Sequence, residues 1–126
     1  MNFIKQVLKW ILGTAFIFAG INHFINPDFY LRMIPPFLPA HLFLVYLSGI
    51  FEIVFGVLLL VPRFSRLAAF GLIALLIAVF PANIYMALHP QLFSEFSPTA
   101  LYLRLPLQLF LIGWAYWYTK KVIDER

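Results

Sequence analysis

Leu42-Phe43-Leu44-Val45-Tyr46-Leu47-Ser48-Gly49-Ile50-Phe51-Glu52-Ile53-Val54-Phe55-Gly56-Val57-Leu58-Leu59-Leu60-Val61 decides the class of this protein. The run stops at Pro62-Arg63 and holds one charged side chain, Glu52, near its middle. At roughly 1.5 Å of rise per residue, a helix of this length crosses a hydrocarbon core of about 30 Å. A carboxylate at that depth costs several kcal/mol if it is charged and unpaired, so another part of the chain must shelter it.

Composition agrees with that reading. The chain has 126 residues, of which 63% are hydrophobic, 19% aromatic and 11% charged. Soluble domains carry about 25% charged residues, and one this small cannot bury so much apolar surface. An all-α integral membrane protein forming one unit over residues 1–126 is expected, with the lipid bilayer as its first partner. The net charge of +4 does not signal nucleic acid, because the lysines and arginines flank apolar runs instead of forming a patch. With no cysteine, the chain supplies no disulfide, thiol relay or thiolate ligand.

Working outward, four spans are expected, over residues 7–25, 41–61, 67–88 and 99–118. The apolar run after Lys9 is longer than the roughly 7–15 residues of a signal-peptide core and has no small-x-small cleavage site behind it. A retained first span follows. Asn26-Pro27-Asp28 reads as a helix start, with Asn as cap and Pro at the first helical position. Pro35-Pro36 and Pro39 end that helix quickly, so a short element follows span 1, either lying at the interface or dipping into the bundle mouth as a lid. Pro62-Arg63-Phe64-Ser65-Arg66 is a tight basic turn, and Ser97-Pro98 starts the last span by the same cap-then-proline logic. Pro81 frees the carbonyl of Ile77, so a kink is expected there, and a neighbour or water must satisfy that group.

Seven of the nine basic residues (Lys5, Lys9, Arg63, Arg66, Lys120, Lys121, Arg126) fall at one end, with Arg32 and Arg104 at the other. The positive-inside rule then places both termini on the cytoplasmic side of a bacterial-type cell membrane. Trp10, Trp114, Trp117 and Tyr118 gather toward that side as an aromatic belt.

With four spans in place, depth can be compared along them. Glu52 and Gln108 lie nearest the midplane, and His23, Asn22, Asn83 and Arg104 about two turns nearer the outer face. Gly49, Glu52 and Gly56 share one stripe, as do Gly13, Gly20 and His23. Small residues let helices approach closely in lipid, so both stripes should face inward, and so should Gly71, Ala74, Ala78 and Ala82. A Glu52–Arg104 ion pair is therefore expected, with Gln108, Asn83, His23 and Asn22 completing an outward-opening pocket. Against it stands a plain brace that fixes helix order and binds nothing. His23, His41 and His89 lie near Asp28 and Glu95 but lack HxxxH or HExxH spacing, so no metal or haem site is expected. There is no phosphate-binding glycine loop and no Gly-x-Ser-x-Gly, which argues against nucleotide-driven transport or self-contained hydrolysis.

Several short motifs in order resemble the DoxX-like family of small four-span membrane proteins. They are Gly20-Ile21-Asn22-His23-Phe24, Pro27-Asp28-Phe29-Tyr30, Pro35-Pro36-Phe37-Leu38-Pro39, Ser48-Gly49-Ile50-Phe51-Glu52, Phe80-Pro81-Ala82-Asn83 and Arg104-Leu105-Pro106-Leu107-Gln108. The resemblance implies a four-helix bundle associated with a membrane redox system. The function expected on that basis is a subunit or accessory serving a membrane or soluble oxidoreductase, with a quinone-like or other small amphipathic molecule in the Glu52–Arg104 pocket. A non-catalytic scaffold or assembly factor is the alternative, and an oligomeric, proton-coupled small-solute carrier is the third reading.

Overall fold

The computed structural model describes residues 2–120. Five α-helices carry the chain, with no strand among the described residues: α1 (Phe3–Ile25), α2 (Pro27–Met33), α3 (His41–Leu60), α4 (Ser65–Leu88) and α5 (Pro98–Trp117). A 3-10 turn, Pro90–Leu92, lies between α4 and α5. By length and composition α1, α3 and α4 are apolar enough to cross a membrane. The fifth helix is as long as α3, but Arg104, Gln108 and two prolines dilute its apolar character.

Local signals account for most boundaries. The Asn2 side chain accepts from the Lys5 amide at 2.8 Å, and that of Ser97 from Ala100 at 3.1 Å, with Pro98 in the first turn. Each cap satisfies an amide that the first helical turn leaves without a partner. Asn26 departs from expectation. Pro27 opens α2 as predicted, but Asn26 makes no side-chain cap. Its own amide closes α1 on Asn22 O at 2.8 Å, so the residue ends one helix and precedes the next without a side-chain bond to it. Ala40, just before α3, has φ 52° and ψ 53° and is the one non-glycine among the described residues in the left-handed region. Pro39 precedes it, and the chain turns sharply there to enter α3.

Lipid tails are as apolar as leucine, so close packing and polar contacts must hold such helices together. The tightest packing joins α1 to α3. Gly13 meets Gly56 and Gly20 meets Gly49, which makes the pair antiparallel with backbones in direct contact. These are the two glycine stripes read from the sequence. The α3–α4 turn and the α4–α5 pairing continue the alternation, so α1 begins and α5 ends at the same end. There the Tyr118 hydroxyl donates to Lys5 O at 2.9 Å, and Lys9 Nζ donates to Ser65 Oγ at 3.3 Å. The core at this end gathers Leu12, Phe16, Leu59, Ala68, Leu72 and Ala115.

The stripe expected on α4 is turned differently. Gly71 receives the Phe55 ring, but Ala74 and Ala78 are exposed, and Ala68, Ala69, Leu72 and Leu76 face inward. This helix packs on both α3 and α5, so its inward face is set by two neighbours rather than by one stripe of small residues.

At the other end α2 folds back over the assembly as a lid and contacts α1, α3 and α4. Met33 packs with Met86, Phe93 and Leu101 beneath it. The Arg32 guanidinium donates to Leu92 O at 2.7 Å and to both Glu95 oxygens at 3.2 and 2.9 Å, and it lies over the rings of Phe29 and Phe93. The short element expected after span 1 is thus a helix packed on α1, α3 and α4.

Candidate functional site

The glycine crossing sets the site. With Gly20 against Gly49, the next turns of α1 and α3 carry His23 and Glu52 to the seam. His23 Nδ1 stands 3.4 Å from Glu52 Oε2. That nitrogen is 2.7 Å from Ala19 O, the carbonyl one turn back, so the Nδ1 proton is directed to the backbone. Glu52 Oε2 is fully buried and accepts no hydrogen bond among the described residues. Gly49 leaves the room for this arrangement, since a Cβ there would stand 2.8 Å from the His23 Cβ.

Tyr30 of the lid roofs the pair. Its ring stacks on the His23 imidazole with centroids 3.8 Å apart and planes at 17°. Its hydroxyl accepts from Asn22 Nδ2 at 2.6 Å, leaving the phenolic proton available to another acceptor. Asn22, His23, Tyr30 and Glu52 thus form one group drawn from α1, α2 and α3.

Asn83, Arg104 and Gln108 form a second group between α4 and α5. Asn83 Nδ2 donates to Gln108 Oε1, and Gln108 Nε2 donates to Leu76 O. Arg104 Nε donates to Asn83 Oδ1 at 3.2 Å. The expected Glu52–Arg104 ion pair is not formed, because Glu52 faces α1 while Arg104 faces α4.

The sequence reading placed Tyr30 in the short element and gave it no role. The available signal was an aromatic hydroxyl eight residues after Asn22 with Pro27 between them, a spacing that lets the chain turn back on its own helix. His41 and His89 take no part in either group. His89 bonds the Tyr85 carbonyl at 3.0 Å and stacks on that ring. Among the described residues no three His, Asp or Glu side chains gather closely enough to hold a metal ion.

Outside the helices, Glu95 is held below the usual carboxylate range, chiefly by the hydrogen bonds from Arg32.

What fold and site define together is an all-helical protein with three helices able to cross a membrane and a buried histidine–glutamate seam beneath a short lid. The chain belongs to the family described as "Domain of unknown function (DUF8561)", which it matches over residues 12–119. That match corrects the resemblance drawn from the sequence, since no DoxX-like family matches. The motifs behind it are prolines at helix starts, glycines at crossings and polar residues at mid-helix, and unrelated small helical membrane proteins meet the same demands. No curated protein and no solved structure matches the chain.

Proposed function

We propose that this chain is a four-span integral membrane protein, with α5 as the fourth span and both termini cytoplasmic. In this reading the His23–Glu52 seam binds the polar head of a small amphipathic molecule. The observation that carries it is the buried Glu52 oxygen that accepts no hydrogen bond. Such a group costs several kcal/mol in an apolar interior unless a proton or a ligand donor reaches it. Glu52 offers a carboxyl that can accept or donate, and Tyr30 offers a phenol proton and a flat ring. A ring-shaped head with oxygen substituents and an apolar tail fits that set, and a quinone is one member of the class. The association with a redox partner rested on the resemblance to the DoxX-like family and is not carried further.

Four helices running in alternation, with Lys5, Lys9, Arg63, Arg66 and Lys120 at one end, support the orientation through the positive-inside rule. Lys121 and Arg126, which the sequence count also used, lie outside the described residues.

The test is thermal unfolding in mild detergent with a decyl-tailed benzoquinone as probe. The wild type should be stabilised in a concentration-dependent way. Glu52→Leu should stay folded and lose the shift, and Glu52→Gln should keep part of it. No shift in the wild type at saturating probe would remove quinones from the class.

A second reading, a non-catalytic scaffold, is favoured by the Asn83–Gln108–Leu76 network, whose groups satisfy one another. It predicts a stable partner on co-purification and no response to amphipathic probes.

A further inference from the structure

We propose that the groove between α1 and α5 binds an anionic phospholipid, one acyl chain lying in the groove and the headgroup meeting the Lys5 ammonium. The groove holds about 440 Å³ and is lined by Leu8, Phe110, Gly113, Trp114 and Trp117. At one end the two helices are tied where Tyr118, just past α5, bonds Lys5 O. Elsewhere Gly113 leaves a gap, since a Cβ there would meet nothing within 4 Å. Sites for tailed small molecules run to roughly 300–1,000 Å³ with mostly apolar walls and a few polar groups, which this groove matches.

The charge at its mouth selects the occupant. Lys5 Nζ lies 5.2 Å from the ring centre of Trp117, a wall of the groove, and 5.8 Å from that of Tyr118. This end of the molecule carries Lys5, Lys9, Arg63, Arg66 and Lys120 and no acidic residue among the described residues. A second copy in the same orientation would bring like charges together, whereas a phosphate headgroup neutralises them. Tryptophan at the groove wall suits the headgroup level of a bilayer. The proposal rests on α5 lying in the membrane, and the experiment separates the two.

Trp10 lies in a different groove, so a Trp10→Phe background leaves Trp114 and Trp117 as reporters. The protein is reconstituted in phosphatidylcholine vesicles doped with brominated phosphatidylglycerol or, separately, brominated phosphatidylcholine. At low mole fraction the brominated phosphatidylglycerol should quench more strongly, with an apparent affinity about fivefold higher, the equivalent of about 1 kcal/mol for one lysine. Lys5→Gln should erase the difference. Gly113→Leu, which fills open space and should keep the helical circular dichroism, should weaken quenching by both lipids. Equal quenching by the two lipids in the parent would overturn the site and leave α5 in the bilayer. No quenching by either would overturn both. Crosslinking of two copies through Gly113→Cys, with weak quenching, would give the groove to a second copy and end the proposal.

Discussion

Gly20 of α1 rests on the backbone of Gly49 in α3, so that a Cβ built on Gly20 would stand 2.5 Å from the Gly49 carbonyl oxygen. Backbone cannot move aside as a side-chain tip can. Gly20→Ala should therefore destabilise the protein by about 1–3 kcal/mol through overpacking and push His23 away from Glu52. Gly113→Ala, with nothing to meet, should be neutral or slightly stabilising. Thermal unfolding of both variants in one detergent checks the contrast, and equal effects would contradict the crossing.

The α4–α5 network makes a separable prediction. Asn83→Ala and Gln108→Ala each strand a partner, and their double-mutant cycle should show a favourable coupling of about 0.6–2 kcal/mol, the range for hydrogen bonds between membrane helices. Arg104→Ala should couple to Asn83→Ala and not to Glu52→Gln. Coupling between Arg104 and Glu52 would restore the ion pair that the structure lacks.

Ala40 carries a backbone conformation that costs an L-residue roughly 1–2 kcal/mol. Ala40→Gly should raise the unfolding midpoint, and Ala40→Val should lower it by more than any other conservative change in the 35–40 loop. A fall on Ala40→Gly would show that the positive φ is not retained in the membrane.

The lid latch should depend on pH. Glu95 titrates lower in the folded state than in the unfolded chain, so the unfolded chain binds the proton more readily. The latch's contribution is therefore complete above the usual carboxylate range and is lost as the pH falls through the lowered folded value. Hydrogen exchange in residues 90–97 should quicken on acidification in the wild type. In Glu95→Gln it should already be faster at neutral pH and should vary little with acid. Because Glu95 is exposed, added salt should weaken the latch as well.

The helices were legible because length, proline and cap signals are local: the sequence expects spans at 41–61 and 99–118, and the structure has helices at His41–Leu60 and Pro98–Trp117. The α1 and α3 glycine stripes were legible for the same reason, since spacing alone puts Gly13 with Gly20 and Gly49 with Gly56 on one face. The partner of Glu52 was not. Rise per residue sets the depth of a group along its helix, but neighbour order and rotation set whom it meets. Arg104 lies at a suitable depth on a helix whose main neighbour is α4, so depth matching joined residues that packing keeps apart. The role of Tyr30 was not legible, because its position over His23 depends on where Pro27 sends the chain, which no periodicity encodes.

The glycine crossing also bears on the order of events during synthesis. Both halves of the closest contact, α1 and α3, are complete once Val61 has been made, before α4 has begun. The first half of the chain thus carries both sides of its own fastening, and no residue of α4 or α5 is needed to bring Gly20 onto Gly49.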